Sequence, residues 1–354
     1  MTELDSRDYR ADLMSGDIVV AHIHSHAVIP VEPSLVPLCF RQGGDIVRWL
    51  EHRAIDAHRT HSRLLKKALR LRERDDLNTV LCFNAATVTD NYWIRPQNSH
   101  LTWNEVRFQN NDFANLALKG TLSDFSKKPS RTPELTNTGS FEKCWKLKKN
   151  EWWMYKVGNE LERFSEMFVC RLCLKLGFPT AEYQNDGDFI RTRDFTKGIW
   201  NFEPAAYLVG DDEDYVKNYK AFFSFGEHIA DQYIEILLMD AFCRNADRHT
   251  YNYGLLRDQK TGSIISMAPN FDNNIALIAR GLDSFERKND LLMDLLVELE
   301  QETNAVSAYL ARHPKPIITP QIIAQCCIET GIDVDISYIQ QFVMTGYGIL
   351  DRII

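Results

Sequence analysis

The feature that most constrains this chain is a short polar run, Asn245-Ala246-Asp247-Arg248-His249-Thr250-Tyr251-Asn252, set behind an apolar stretch and followed by an isolated acid at Asp272. From Glu227 to Cys243, Ile229, Tyr233, Ile236, Leu237 and Met239 recur at roughly helical intervals, which predicts a buried helix running into the loop. Tyr253 to Leu256 reads as a strand, Arg257 to Gly262 as a turn, and Ser263 to Ala268 as the returning strand. Such a hairpin places Asn252 and Asp272 side by side although they are far apart in sequence. One amide and one carboxylate suit magnesium, which keeps several waters and takes few protein groups. Asp247 is then positioned to orient an attacking hydroxyl and accept its proton, as ATP-dependent phosphoryl transfer requires. Asp and Asn also favour plain turns. It is the order of helix, loop, hairpin and second acid that argues for chemistry. His249 lacks a second His or Cys at ligand spacing, so it reads as packing under the loop and bonding its backbone.

Phosphoryl transfer also needs a loop over the phosphates and a lysine. Thr136 to Lys143 is a polar turn entering a strand, Lys143 to Leu147; Lys148-Lys149-Asn150 turns the chain, and Glu151 to Val157 returns. Alternation puts Trp152, Met154 and Lys156 on one face, where a cation is costly unless it meets phosphate or an acid. The next helix is signalled by Asn159 as cap, Glu160 and Glu162 in its first turn, and Lys175 with Gly177 at its end. Glu166 sits mid-helix among apolar residues and most needs a counter-charge, with Glu162 one turn earlier as its rival.

The order Gly139-Ser140-Phe141-Glu142-Lys143, strand lysine, Ser165 to Phe178, Asn245 to Asn252 and Asn270-Phe271-Asp272 resembles the bacterial HipA-like serine/threonine kinases. The resemblance covers about residues 135 to 350, and the catalytic loop is its most specific part. It implies an α+β, two-lobed protein-kinase-like fold with a strand-rich small lobe and a helical large lobe. It also implies ATP and Mg2+ as cofactors, Asp247 as catalytic base, and Asn252 and Asp272 as metal ligands. Lys156 becomes the phosphate-contacting lysine with Glu166 as partner, beneath a nucleotide-binding loop of Gly139, Ser140, Phe141 and Lys143. HipA-like proteins can autophosphorylate a hydroxyl beside the phosphate loop; Thr136 matches best, with Thr138 and Ser140 close by. Phosphate there would eject the loop by charge and bulk. The implied substrate is a protein serine or threonine hydroxyl. Two departures stand out: the segment between the loop and Lys156 is short, and residues 1–120 do not match the small domain through which the best-known members meet an antitoxin.

The rest of the chain is consistent with a soluble bacterial enzyme of the cytoplasm. With 354 residues and 44% hydrophobic content it can bury two cores. No run approaches the ~20 apolar residues that span a bilayer, so no membrane is expected, and the charged start Met1–Arg7 reads as no signal peptide. The eight cysteines follow no disulfide-scaffold spacing. Cys170, Cys173, Cys326 and Cys327 sit in apolar helical sequence and read as core rather than zinc ligands. Residues 121–135 are polar and twice broken by proline, which places a linker there. An accessory region (1–120) precedes it, and a small lobe (136–205) and helical lobe (206–354) follow. Asp17 to His26 reads as an edge strand with His22, His24 and His26 on one face. That spacing can bind a transition metal, but with no acid or cysteine recruited nearby it reads as a solvated strand face. Residues 47–74 carry nine Lys/Arg against three Asp/Glu on a chain of net charge −8. That stretch is a solvated helical face or a seat for an antitoxin-like, acidic or nucleic-acid partner.

Two other function classes compete. Asp-Arg-His-x-x-Asn also resembles the catalytic loop of phosphoinositide kinases, which would make this a lipid or small-molecule phosphotransferase. Asn273 to Asp283 offers one arginine among mostly apolar residues, a poor seat for a phosphorylated headgroup. A non-catalytic pseudokinase binding nucleic acid or protein would not need Lys156, Asp247, Asn252 and Asp272 together.

Overall fold

The computed structural model describes residues 9–54, 61–68, 76–109, 113–121, 142–281, 286–287 and 290–353. In chain order it begins with β1 (Arg10–Ser15), β2 (Ile18–His24), β3 (Ala27–Pro30) and the short helices α1 (Leu38–Arg41), α2 (Ile46–Glu51), α3 (Ser62–Ala68) and α4 (Asp76–Cys82). Next come β4 (Tyr92–Pro96), α5 (Trp103–Val106), α6 (Ala114–Lys119), β5 (Lys143–Lys148), β6 (Glu151–Lys156), α7 (Glu160–Leu176), β7 (Tyr183–Asp186), β8 (Phe189–Arg193) and β9 (Trp200–Pro204). Then follow α8 (Ala206–Val209), α9 (Tyr215–Phe223), α10 (Glu227–Cys243), β10 (Gly254–Asp258), β11 (Ile264–Met267) and α11 (Leu291–Thr303). Helices α12 (Ala305–Arg312), α13 (Pro320–Thr330), α14 (Ile336–Tyr347) and α15 (Leu350–Ile353) close the chain. Two compact units emerge: Met1–Val157 with Asp188–Glu203 and Leu256–Ile265, and Gly158–Gly187 with Pro204–Leu255 and Ser266–Ile354.

The first unit is strand-rich. Its N-terminal sheet runs β3-β2-β1-β4, and β2 is antiparallel to both β1 and β3. Strand β2 is therefore internal, not an edge, because β3 returns along the side that the sequence reading left open. Its histidines meet partners across the sheet: His22 Nδ1 lies 2.9 Å from Asp12 Oδ1, and His24 faces Arg10 in register. His22 thus meets an acid of the neighbouring strand.

Strands β5 and β6 form a hairpin closed by Lys149 and Asn150, with φ of 51° and 64°. Positive φ at both central residues gives the twist that a two-residue hairpin loop needs. Met14, Trp93, Leu116, Cys144, Trp153 and Tyr155 pack into one core, so the N-terminal sheet and this hairpin share their apolar interior. A buried ionic knot ties distant segments of the unit. Arg257 pairs with Glu203 and donates to Tyr92 Oη at 3.1 Å, Val36 O at 3.1 Å and Ser34 O at 2.8 Å. Glu203 also accepts from Tyr92 Oη at 3.0 Å and from Leu38 N at 2.6 Å. None of the polar side-chain atoms of Arg257, Glu203 and Tyr92 is buried without a partner, which is what makes such a charge tolerable.

In the 47–74 stretch, residues 55–60 and 69–74 lie outside the described residues. Arg53 is buried, stacks over Trp49 at 3.8 Å and pairs with Asp90 at 2.6 Å, and Lys66 is also buried. Part of that positive charge therefore belongs to the core.

The second unit is helical. Helix α7 starts with a capping box: Asn159 Oδ1 accepts from Glu162 N at 3.0 Å, and Glu162 Oε2 accepts from Asn159 N at 2.8 Å. Left-handed Gly177 ends it. Helix α13 packs on α7, and α9 and α14 pack on α10. The carbonyls of Ala241 and Phe242 at the end of α10 accept from Arg287 at 2.6 and 2.9 Å, a cation at the negative helix end. Among the described residues no helix is long and apolar enough to cross a membrane.

Candidate active site

The candidate site begins where α10 stops. Thirteen of its seventeen residues are buried, including the whole run from Ile236 to Cys243, so the helix is a fixed platform. Arg244 takes a left-handed conformation, φ 53°, and turns the chain into the polar loop. Within that loop His249 N donates to Asp247 O at 2.9 Å, and Asn252 N donates to His249 O at 2.8 Å. Tyr251 N donates to His249 Nδ1 at 3.3 Å, so His249 bonds the loop's own backbone.

Asn252 Nδ2 donates to Asp247 O at 2.9 Å. A carbonyl can only accept, so this bond fixes which end of the amide is NH2 and directs the Asn252 oxygen the other way. An oriented amide oxygen suits a hard cation. Asp247 is half-buried and Asn252 is buried.

Asp272 is held with φ of 62°, a left-handed backbone that a residue with a Cβ adopts at a cost. Its neighbours supply the restraint. Asn245 Nδ2 donates to Asn273 Oδ1 at 3.1 Å, and Asn245 Oδ1 accepts from Asp247 N at 3.3 Å. Glu166, fully buried in α7, accepts from Asn273 N at 2.9 Å. The backbone of Asn270 is clipped to the segment after α7: Asn270 N donates to Pro179 O and Ala181 N donates to Asn270 O, each at 2.9 Å.

The centre of this arrangement is Arg248, which the sequence reading passed over. Its guanidinium donates to Asp240 of α10 at 2.9 Å from both Nε and Nη2. It also donates to Asn252 O at 2.9 Å, Phe271 O at 2.6 Å, Asn270 Oδ1 at 3.0 Å and Asn273 Oδ1 at 2.6 Å. One buried cation thus joins the helix end, the Asp247 loop and the Asp272 loop. Burial pushes the Asp240 carboxyl up from its ordinary value, against the charge of Arg248. Burial also works to lower the Arg248 guanidinium, but the Asp240 carboxylate outweighs it and raises it. Arginine stays charged, and two-point donation keeps the carboxylate ionised opposite it. A sequence signal existed: Asp240 is a lone acid in the apolar run Leu237-Leu238-Met239-Asp240-Ala241-Phe242, and such an acid must find a cation.

The structure also places the remaining candidates. Lys156 and Lys143 stand opposite each other in the β5–β6 register, both buried, on the face that also carries Met154. Like charges directly opposite are unfavourable without an intervening anion. Glu162 is committed to the capping box of α7, at an exposed helix start. Thr136, Thr138, Gly139, Ser140 and Phe141 lie outside the described residues. Cys170, Cys173, Cys326 and Cys327 are buried thiols, and burial raises Cys326 and Cys327 to about 12.

No protein-family model and no curated protein matches the chain. Solved structures do. HipA of Shewanella oneidensis MR-1, solved with HipB and its operator DNA as a toxin–antitoxin system, aligns over 97% of this chain and 97% of its own. The TM-score is 0.63 and the identity 12%. The chain has the HipA fold. Its HipA-like alignment takes in the N-terminal region, which motif comparison left unmatched, because a fold persists where sequence identity has faded. The proinflammatory kinase CtkA of Helicobacter pylori is also similar, at 16% identity and a TM-score of 0.42 over 59% of this chain and 90% of that one.

Proposed function

We propose that this protein is an ATP- and magnesium-dependent serine/threonine protein kinase of the HipA-like type. The observation that carries the reading is the Arg248 junction, which holds the loops of Asp247, Asn252 and Asp272 in one fixed arrangement. Phosphoryl transfer is dominated by positioning and charge stabilisation, so a rigid polar cradle is what the reaction needs.

In this reading Asp247 orients the acceptor hydroxyl and takes its proton. Asn252 and Asp272 would hold magnesium, which neutralises charge on the phosphates when bound. The oriented amide of Asn252 and the strained, braced backbone of Asp272 fit that group. Glu166 keeps the Asp272 loop in register through Asn273. Lys156 and Lys143 contact phosphate, with Gly139, Ser140 and Phe141 as the covering loop. Thr136, Thr138 and Ser140 are the proposed autophosphorylation positions. The HipA neighbour was solved with a protein partner and DNA, so an antitoxin-like partner is proposed for this chain as well.

The test is incubation of the purified protein with magnesium and γ-labelled ATP beside Asp247→Asn, with mass-spectrometric mapping. Label on Thr136, Thr138 or Ser140 in wild type alone supports the reading. ATP binding without protein label, and label instead on a small molecule or lipid, would replace it with the phosphotransferase alternative.

A further inference from the structure

A groove of about 620 Å³ opens in the strand-rich unit, between the loop that follows β3 and the β10–β11 turn. Pro30, Pro33, Val36 and Phe40 give it apolar walls, and Arg41 and Ser263 add polar groups. A volume of that size takes a small organic molecule. Its two sides are fixed to each other. Gly262, with φ of 69°, passes so close to Ser34 that a Cβ there would overlap the Ser34 carbonyl oxygen. Buried Arg257 clamps the same two segments, donating to Gly262 O at 3.0 Å, Ser34 O at 2.8 Å and Val36 O at 3.1 Å. The ionic knot therefore builds the groove in advance, and a ligand need not order it.

Arg41 ends α1 and is exposed. Its guanidinium donates to Ser34 O, and among the described residues no carboxylate pairs with it. Arg257 already has Glu203, so this cluster sets two guanidiniums against one carboxylate. Partial desolvation and then the charge of Arg257 push Arg41 down from its ordinary value, and Glu203 offsets them only in part. A second anion is what the cluster would favour. Neither nearby acid supplies it. Asp258 Oδ1 accepts from Lys260 N at 2.9 Å and Thr261 N at 2.8 Å within its own turn. Glu32, in the loop after β3, is exposed and forms no ion pair among the described residues.

We infer that this groove binds a small organic monocarboxylate, its apolar body against Pro30, Pro33, Val36 and Phe40 and its carboxylate on the Arg41 fork. One planar guanidinium matches one planar carboxylate at two points. A phosphate monoester brings about two negative charges to a single cation, with Glu32 in the adjoining loop to repel it, and fits less well. The exposed Ser263 hydroxyl on the opposite side adds a donor. The site shares no residue with the proposed kinase machinery, so it stands apart from that reading.

Isothermal titration calorimetry of the full-length protein with phenylbutyrate tests this, beside the neutral phenylbutyramide and phenyl phosphate. Phenylbutyrate binds saturably, and the amide binds about tenfold more weakly or worse, as loss of a charge-assisted pair requires. Arg41→Gln weakens phenylbutyrate by about the same factor. Ser263→Trp fills the groove from the other side and abolishes binding. Both variants keep the wild-type melting temperature, because both side chains are exposed. Acid and amide are compared on wild type, so that comparison decides even if a variant misfolds. No saturable binding at millimolar concentration, equal affinity for acid and amide, or binding unchanged in either folded variant overturns the inference. Tighter binding of phenyl phosphate overturns the carboxylate assignment in favour of a phosphate monoester.

Discussion

The guanidinium of Arg248, in the loop that carries Asp247, donates to the side chain of Asn273, next to Asp272, at 2.6 Å. The two loops that would align hydroxyl and magnesium are therefore one hydrogen-bonded body, anchored to α10 through Asp240. Arg248→Ala would leave Asp240 charged and alone in the interior. Removing one partner of a buried ion pair costs about 3–5 kcal/mol, so urea unfolding should show a loss of that order. Arg248→Lys keeps the charge but not the fork, and should retain more stability than activity.

Asp247→Asn should lower phosphoryl transfer by about 10²-fold or more while leaving the melting temperature unchanged, since loss of a positioned base costs about that much. Asp272→Asn should do the same, because asparagine tolerates the left-handed backbone. Asp272→Ala should lose stability in addition. Comparing thermal melts of the two Asp272 variants separates backbone strain from metal binding.

Glu166→Ala removes the acceptor of Asn273 N and frees the Asp272 loop. The expected result is a higher magnesium concentration for half-maximal activity, measured by titration at saturating ATP. Lys156→Ala should instead raise KM for ATP, a separation that distinguishes support of the metal loop from contact with phosphate.

At the start of α7, Asn159→Ala should cost about 1 kcal/mol, the usual worth of an N-cap. Glu162→Ala should cost a similar amount, and the double variant less than the sum, because each bond of the capping box braces the other. Denaturant midpoints of the four proteins measure this coupling.

Burial raises the Glu235 carboxyl to about 7, opposed by its hydrogen bond from Tyr309 at 3.1 Å. The folded state therefore holds a proton that the unfolded chain releases near its ordinary value of 4.5. Stability from this group is full below that value and declines as pH rises toward 7. Glu235→Gln should flatten that decline, which melting temperatures at pH 5 and pH 8 will show.

Much of the fold around the candidate site was legible because local signals spelled it out. The cap and terminator of α7, the apolar face of α10, the Lys149-Asn150 turn and the hairpin after Asn252 are each written in a few adjacent residues. What stayed hidden depends on contact at a distance. Glu203 meets Arg257 and Tyr92 from positions 54 and 111 residues away, and no spacing rule reaches that far. The internal position of β2 was likewise invisible, since β3 is short and exposed along most of its length. Asp240 was the recoverable miss, because the reasoning that singled out Glu166 applied to it equally.

The chain visits its two units alternately, and this sets an order on synthesis. Glu203 and Tyr92 are made well before Leu256–Ile265, the last segment of the strand-rich unit and the one that contains Arg257. On the ribosome the interior of that unit waits, with an acid and a phenol in place but no guanidinium, until most of the chain has emerged. The strand-rich unit can therefore close its buried knot only once Arg257 has emerged, while Ser266–Ile354 of the helical unit is still to come.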